Sequence, residues 1–458
     1  MILKSPTVLK QLEELQEKFV FVRTDKASNN IAVVCKKFYI ERSMQELDIF
    51  DATQSNGNLT YVQAKQDVKS IIARHKRYMI ANSIEVADDL PFLYWIPKMH
   101  KRPYSKQRFI AASSRCSTKP LSQVLTKCLK LVERQHRIIG NRYFTNFGIN
   151  PMWIIDNSTA VHSMFAALNR KKQCNNIRSY DFSTLYTSIP HKQLKSQLAL
   201  VIKQAFEDSK KPFISVYKND ARWTNEPRKN TLALDCKKMI RLLYWLIDNI
   251  FVTFGDKVFR QKIGIPMGTD CAPFLANLFL YSYEYKWIDK QRRLKDYSCI
   301  NAFKHCCRYI DDLLLANNND RMIEVMGDIY PKELILVPDD SDGLSTPYLD
   351  LMLTIKDNVV SSSIFDKRDA FDFPIVNFPT LTGNIPLRSS YGVFTGELVR
   401  YARACTHLED FKNRTLLLVK KLKKQYFTAA LLKKTWLKFC DSHFLLIQKY
   451  GPLVLDLF

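Results

Sequence analysis

The chain has 458 residues, of which 46% are hydrophobic, and this composition supports several packed units and excludes a disordered protein. Lys and Arg number 69 against 45 Asp and Glu, so a net charge of +24 points to a polyanionic partner, either nucleic acid or an acidic membrane surface. No run reaches the ~18 apolar residues of a membrane span, so no membrane partner is expected. The cysteines form no CxxC pair, which predicts reduced thiols in the nucleus or cytoplasm.

The amino-terminal part is predicted to mix helices and strands. The pattern indicates a helix over residues 6–18, strands over 19–23 and 31–35, and a basic helix over 61–80. Residues 92–113 predict a long hairpin, because two apolar strands enclose a basic tip. The cations of this hairpin are Lys98, Lys101, Arg102, Lys106 and Arg108. Such a cluster suits a triphosphate, although any single member is more simply a solvated charge.

The middle of the chain alternates helices with short strands. Helices are predicted at 118–136, 190–206 and 235–250, and loops at about 51–60, 138–152 and 208–231. Residues 176–182 predict a buried strand that ends on a carboxylate. Residues 258–288 predict a strand, a loop with two glycines around a proline, and a long apolar helix.

Two adjacent aspartates, Asp311 and Asp312, lie between apolar runs and predict a β-hairpin with acid at its tip. An isolated Asp-Asp pair is usually a solvated turn, but here leucines resume at once instead of Gly, Pro or Asn. Burying two carboxylates is costly unless cations sit against them. Two Mg²⁺ ions, with Mn²⁺ as a substitute, are the expected cofactors, and the chemistry indicated is two-metal phosphoryl transfer.

The third carboxylate is expected to be Asp181, at the end of the strand predicted over 176–182. Two metals about 3.5–4 Å apart need bridging carboxylates from different elements. Asp181 and Asp311 are predicted as the main catalytic ligands. Asp312 is predicted to be a weaker one, because neighbours on a strand face opposite sides.

Two further features suit a nucleotide. Tyr186 lies five residues beyond Asp181, where a ring could lie under the incoming sugar and exclude a 2′ hydroxyl; the alternative is an ordinary core tyrosine. The loop over 264–268 contains Met267 and Gly268 and permits close backbone approach to a flat base pair. The alternative is a simple strand-to-helix turn.

The carboxy-terminal part is predicted to contain a helix at 319–329, strands at 333–337, 348–355 and 360–365, and Lys-rich helices at 396–405 and 409–440, the latter with a break. The lysines expected to contact a nucleic-acid duplex are Lys420, Lys421, Lys424, Lys433 and Lys434. The packed face opposite them is predicted to contain Leu416, Leu417, Leu422 and Trp436. A solvated helix face is an equally good interpretation of these lysines.

The order strand–helix–helix–strand–strand around three carboxylates is that of a ferredoxin-like polymerase palm. The predicted fold is therefore α+β, with a basic hairpin before the palm and basic helices after it.

In combination, these motifs resemble those of reverse transcriptases. YIDD (309–312) matches the catalytic hairpin, DFSTLY (181–186) the preceding aspartate and gate, and GIPMG (264–268) the third palm motif. The chain looks most like the Penelope-like retroelement branch, through WIPKMHK, SYDFSTLYTSIP, MGTDCAPFLANLFLY, RYIDD and TPYLDLMLTI. Asp25-Lys26-Ala27 departs from the usual Asp-Lys-Gly, which leaves the role of that segment open.

The resemblance implies a right-hand polymerase fold with fingers, palm and helical thumb. The expected divisions are 1–90 for an extension and fingers, 91–175 for fingers, 176–368 for the palm and 369–458 for the basic thumb.

The resemblance also implies RNA-directed DNA synthesis from dNTPs on an RNA template with a DNA primer or target. It also implies that Asp181, Asp311 and Asp312 are catalytic, that Tyr186 is the sugar gate, and that Lys98 or Lys101 with Arg108 holds the triphosphate. Nothing after residue 440 matches the GIY-YIG nuclease that many members carry. Three alternatives are therefore open: a nuclease-free member, with a nuclease in trans as a possible partner, a fragment, or a gene retained by a host. The alternatives are an RNA-dependent RNA polymerase and a silent nucleic-acid-binding protein derived from a reverse transcriptase.

Overall fold

The computed structural model of the chain describes residues 5–47, 60–100, 102, 104 and 106–457. It combines long helices with five antiparallel or mixed sheets in these ranges. Of the helices described, none has both the length and the apolar character that a membrane crossing requires. The loop predicted at about 51–60 lies outside the described residues, apart from Thr60.

The amino-terminal elements include two helices that sequence patterns did not predict, α2 and α5. The elements are α1 (Pro6–Lys18), β1 (Phe19–Thr24), β2 (Ala27–Cys35), α2 (Lys36–Glu46), β3 (Tyr61–Gln63), α3 (Val68–Ala81), β4 (Phe92–Pro97), β5 (Gln107–Ala112), α4 (Lys119–Phe147) and α5 (Thr159–Lys171). The helix predicted over 61–80 is wrong at its start, because 61–63 form β3. The loop predicted at 138–152 is wrong over 138–147, because the buried stripe of α4 continues through Ile139 and Tyr143.

The middle elements surround the predicted carboxylates. They are β6 (Ile177–Ser183), α6 (Leu185–Ser188), α7 (His191–Ser209), β7 (Phe213–Val216), β8 (Ala221–Thr224), β9 (Leu232–Leu234), α8 (Cys236–Asp248), β10 (Phe251–Phe254), β11 (Lys257–Gln261), α9 (Ala272–Arg293), α10 (Tyr297–Asn301), β12 (Cys306–Tyr309) and β13 (Asp312–Ala316). The loop predicted at 208–231 is wrong in part, since β7 and β8 lie within it and pair in a small sheet with β9.

The carboxy-terminal elements are α11 (Arg321–Ile329), β14 (Ile335–Pro338), β15 (Ser345–Tyr348), β16 (Leu351–Lys356), β17 (Val359–Ile364), α12 (Leu387–Ala404), α13 (Leu408–Lys423), α14 (Ala429–Ser442) and α15 (Phe444–Ile447). The strand predicted at 348–355 is two strands, because the chain turns at Leu349, which has a φ of 56°. The break predicted within 409–440 separates α13 from α14.

Two sheets position the candidate site. The first has the strand order β12-β13-β6-β14, and every pair is antiparallel. With α7 and α11 in the connections, this is a β-α-β-β-α-β arrangement. The second has the order β3-β11-β10-β4-β5. The division into fingers, palm and thumb stays a prediction.

The main hydrophobic core joins α4, α7, α8 and α9 with the first of these sheets. The helix α9 is buried nearly all round, as expected of a helix that is apolar on every face. A second core forms among α12, α13 and α14 around Phe411, Leu422 and Trp436. The carboxylate hairpin contacts α9 through Arg308 of β12, which binds Glu284 and Asn277.

Candidate active site

The β12–β13 hairpin turns through two residues, Ile310 and Asp311. Ile310 has a φ of 56°, which a β-branched residue rarely adopts and which hairpin turns usually assign to glycine. Such a conformation costs free energy and persists only where its surroundings hold it. Leu313 and Leu314, which follow the turn, are fully buried and provide part of that constraint.

A buried arginine directly below the turn provides the rest. Arg308 is fully buried, and its Nη1 donates a hydrogen bond of 2.9 Å to the carbonyl of Ile310. Its Nε donates to Glu284 at 2.6 Å, and its Nη1 also donates to Asn277 at 3.0 Å. The hydroxyl of Tyr330 donates to Glu284 at 2.9 Å. Sequence reasoning missed this network, although single charges inside the apolar runs of β12 and α9 were visible.

The three predicted carboxylates lie together at one end of the first sheet. Asp181 on β6 pairs directly with Asp312 on β13, so both side chains are on one face with Cβ atoms about 4.5–5.5 Å apart. The N–H of Phe182 donates to the carbonyl of Asp311 at 3.0 Å. The argument that ranked Asp312 below Asp311 is wrong in its geometry. Strand alternation does not apply, because Asp311 lies in the turn and only Asp312 on a strand.

Electrostatics reflect this crowding of negative charge. Burial, then the negative charges of Asp311 and Asp181, raises the pKa of Asp312 to about 6, while Lys367 and Lys26 oppose the rise. Carboxylate oxygens are the ligands that Mg²⁺ prefers, so the donor chemistry fits that ion. Within the described residues, no three acidic, His or Cys side chains already have the spacing of a metal site. The three carboxylates therefore fit Mg²⁺ in the type of their donor atoms and in their negative charge.

Tyr186 stands beside these carboxylates on the short helix α6. Burial raises the pKa of its hydroxyl, and so does the nearby charge of Asp311. Its backbone is packed against the loop over 264–268: the N–H of Ile265 donates to the carbonyl of Tyr186 at 2.6 Å. Gly264 has a φ of 84°, and a Cβ there would lie 2.4 Å from that same carbonyl oxygen. A side chain at Gly264 would therefore displace Tyr186.

The other end of the same loop is packed on β5. The carbonyl of Met267 accepts from the N–H of Ala111 at 3.0 Å. A Cβ on Gly268, whose φ is 123°, would lie 2.3 Å from the carbonyl oxygen of Ala111. Close contacts with the protein backbone thus explain why both positions are glycine. The loop connects the Tyr186 backbone to the basic hairpin. Contact of Met267 and Gly268 with a nucleotide stays a prediction.

The cations predicted for the triphosphate have different surroundings. Lys98 begins the tip of the hairpin, where its backbone N–H donates to Lys106 at 2.9 Å. Lys101 lies outside the described residues. Arg102 forms an exposed ion pair with Asp372 at 2.7 Å. Arg108 lies with its Nη2 3.5 Å from the buried carboxylate of Asp25 on the β1–β2 turn, an ion pair without a hydrogen bond.

The Asp25-Lys26-Ala27 segment forms that turn. The N–H of Asp25 donates to the carbonyl of Pro97 at 3.0 Å, which joins the turn to the basic hairpin. Lys26 carries the positive φ, 65°, while the buried Ala27 begins β2 without one. Position 27 therefore does not require glycine. The exposed Lys26 lies near enough to the carboxylates for its charge to oppose the raised pKa of Asp312.

Lys367, the second cation facing Asp312, lies in a segment fixed by ion pairs. Its neighbour Asp366 binds Arg368 at 2.7 Å and Arg414 of α13 at 3.0 Å. Burial alone would raise the pKa of Asp366, but hydrogen bonds from Arg368 lower it to about 2. No sequence motif marks Lys367, because its approach to Asp312 depends on tertiary structure alone.

The lysines predicted to contact a duplex lie on α13, on α14 and in the connection between them. The exposed ones are Lys420, Lys424, Lys433 and Lys434. Lys421 is half-buried and lies 3.2 Å from Asp369. The predicted packed face is wrong for Leu416 and Leu417, which are each 37% exposed, whereas Leu422 and Trp436 are buried.

Neither a protein-family model nor a curated protein sequence matches the chain. Several solved structures have a similar fold. The telomerase of Candida albicans in complex with a TWJ fragment of telomeric RNA superposes with a TM-score of 0.62 at 11% identity, over 98% of this chain and 71% of that one. The telomerase of Candida tropicalis with a TWJ fragment of telomeric RNA gives 0.51 at 13% identity, over 98% and 63%.

The apo telomerase of Candida tropicalis gives a TM-score of 0.50 at 12% identity, over 97% of this chain and 72% of that one. Identities this low show a shared fold only. The likeness to the Penelope-like branch is not tested by these structures and stays a prediction. The chain has a reverse-transcriptase-like polymerase fold.

Proposed function

We propose that this chain is an RNA-directed DNA polymerase of a retroelement, which extends a primer 3′ hydroxyl with dNTPs on an RNA template. The proposal rests on one observation: Asp181, Asp311 and Asp312 lie close together at one end of a sheet, and Tyr186 lies beside Asp311. The polymerase-like fold supports it, since other proteins of that fold are telomerases solved with RNA.

The roles of the residues follow from their chemistry. Asp181, Asp311 and Asp312 would hold two Mg²⁺ ions, or Mn²⁺ in their place. When bound, these ions would lower the pKa of the primer hydroxyl and neutralise the departing pyrophosphate. Lys98, Lys101 and Arg108 would bind the triphosphate. The loop with Met267 and Gly268 would support the new base pair.

The lysines of α13, of α14 and of their connection would bind the duplex through its phosphates. They are Lys420, Lys421, Lys424, Lys433 and Lys434. Origin in a Penelope-like element, an endonuclease that acts in trans, and residence in the nucleus or cytoplasm belong to the same proposal.

Primer extension on an RNA template with Mg²⁺ tests it. We expect deoxynucleotide incorporation that EDTA abolishes. Incorporation of ribonucleotides alone would contradict the proposal and indicate an RNA-dependent RNA polymerase. Failure of extension with salt-sensitive binding to the primed duplex would contradict it too, and would indicate a silent nucleic-acid-binding protein.

Tyr186→Ala is expected to admit ribonucleotides. The ring is proposed to occupy the space of a 2′ hydroxyl, and its removal should lower the dNTP-over-rNTP preference in kcat/KM by roughly 10- to 100-fold. Tyr186→Phe keeps the ring and serves as the matched control, with unchanged sugar preference. Equal preferences in the wild type and the Ala variant would contradict the gate.

Lys26→Gln is expected to raise the KM for dNTPs by about 10-fold with a smaller change in kcat. Lys26 places an exposed cation beside the carboxylates, where it can form a charge-assisted contact with the triphosphate. Gln keeps most of the side-chain length without the charge. Lys37→Gln, a strongly exposed lysine on α2, is the control. A KM equal to that of the control would remove Lys26 from the nucleotide site.

A further inference from the structure

A basic groove of about 600 Å³ lies at the β3–β11 edge of the five-stranded sheet, between α3 and the end of α8. The cations that line it are Lys65, Arg74, Arg260 and Lys262. Asp248 is the carboxylate in its lining. In the sheet order, β11 is three strands from β5, which is roughly 14 Å at ordinary strand spacing. The groove is thus separate from the predicted triphosphate cations on the β4–β5 hairpin.

The two arginines of the groove have unused hydrogen-bonding capacity. The Nε atoms of Arg74 and Arg260 are both buried and have no hydrogen-bond partner in the described part of the chain. Arg74 donates through Nη1 to Gln66 at 2.9 Å, a neutral partner. A buried donor without a partner costs about 1–3 kcal/mol, and more when it is charged. The Nε atoms of these two arginines therefore lack a hydrogen-bond acceptor within the described residues.

The one carboxylate of the lining does not fill that role. Both oxygens of Asp248 accept from Lys195, at 2.9 and 3.0 Å. Arg260 approaches Asp248 only to 3.8 Å, which is too long for a hydrogen bond. Burial, and then the charge of Arg260, lowers the pKa of Arg74. The positive charges of Arg74 and Arg260 thus repel one another without a shared anion.

We propose that this groove binds phosphate groups, and that its ligand is the backbone of a single-stranded nucleic acid. The planar guanidinium presents several N–H groups to phosphate oxygens at once, which suits the unpartnered Nε atoms of Arg74 and Arg260. The exposed Lys65 and Lys262 extend the positive charge along the rim, as a strand with successive phosphates requires. The site goes beyond the proposed polymerase activity, because binding here needs neither metal nor primer.

The test compares two double variants with the same change in charge. Arg74→Gln/Arg260→Gln removes both groove arginines, and Arg77→Gln/Lys257→Gln removes exposed cations from the same two elements, α3 and β11. Binding of a 12-nucleotide single-stranded RNA is measured in EDTA at several salt concentrations. We expect the groove variant to lose at least about 10-fold in affinity. The salt dependence should weaken by about 1.4 in slope, the amount for two phosphate contacts with a single strand.

Inorganic pyrophosphate provides the second arm. If free phosphate groups bind the groove, pyrophosphate will raise the melting temperature of the groove variant by less than that of the wild type and of the control, because the groove variant keeps only the proposed triphosphate site. A smaller pyrophosphate effect in the groove variant, with unchanged RNA affinity, would support a phosphate site in the groove. It would show that the ligand is a free phosphate and not a nucleic acid. Unchanged binding in both arms, or equal loss in both double variants, would overturn the proposal. Because no step needs synthesis, failure of the polymerase activity would leave the result interpretable.

A conservative pair covers the case in which the Gln variant does not fold. Arg74→Lys/Arg260→Lys keeps both charges but has no Nε donor. We expect it to fold and to bind the RNA about 3- to 10-fold more weakly than the wild type, since the ammonium cannot reproduce the guanidinium fork. Affinity equal to that of the wild type would show that general charge, and not the paired guanidinium groups, holds the strand.

Discussion

Asp311→Asn is expected to lower the rate of primer extension by about 10³-fold or more, which corresponds to ~4 kcal/mol in the activation barrier. The carboxylate lies in the hairpin turn, close enough to Asp312 and Tyr186 for its charge to raise the pKa of both groups. Asn keeps the size of the side chain but removes the negative charge that a divalent ion would need. The loss should therefore concern the chemical step and leave the fold intact.

Single-turnover extension of a primed RNA template measures this effect. Asp340→Asn removes a carboxylate from an exposed position outside the hairpin and is the matched control, with extension within twofold of the wild type. Binding of the primed duplex in EDTA should be unchanged in both variants. Extension by Asp311→Asn at the rate of the control would exclude Asp311 from catalysis, and with it the two-metal mechanism proposed for this chain.

Local patterns predicted the parts of this site that depend on nearby residues. The hairpin of Asp311 and Asp312 is visible because apolar strands surround a polar turn, and the structure has that hairpin. The strand that carries Asp181 is visible for the same reason. The pairing of Asp181 with Asp312 is not, because register between distant strands depends on how the whole sheet assembles.

Other features depended on contacts that no local pattern contains. Arg308 and Glu284 belong to different elements, and each reads as an isolated charge in an apolar run until α9 packs beneath β12. The helix α4 continues past residue 136 because its buried stripe continues, although polar residues suggested a loop. Leu416 was assigned to the wrong face of α13, whose buried side follows Phe411, Thr415, Leu418 and Leu422.

Arg308→Leu is expected to destabilise the fold by about 3–5 kcal/mol. The side chains of Arg308 and Glu284 are both fully buried, so removal of the guanidinium leaves an uncompensated carboxylate in the core. Urea unfolding followed by tryptophan fluorescence would measure the loss. Arg178→Leu breaks a half-exposed ion pair with Asp320 and should cost about 1 kcal/mol or less. A similar loss in both variants would contradict the argument from burial.

The double variant Arg308→Leu/Glu284→Leu separates stability from function. Removing both charges should recover part of the lost stability, because well-packed apolar residues can replace a buried ion pair. A residual loss of about 1–3 kcal/mol is expected, since the hydroxyl of Tyr330 loses its acceptor.

Polymerase activity should not recover with it. The carbonyl of Ile310 would still lack the donor that holds the turn at its unfavourable φ, so Asp311 would no longer be held in place. We expect the double variant to extend a primer at least about 10-fold more slowly than the wild type, although it is more stable than Arg308→Leu. Wild-type activity in this variant would show that the buried ion pair serves folding alone and that the strained turn keeps its geometry without it.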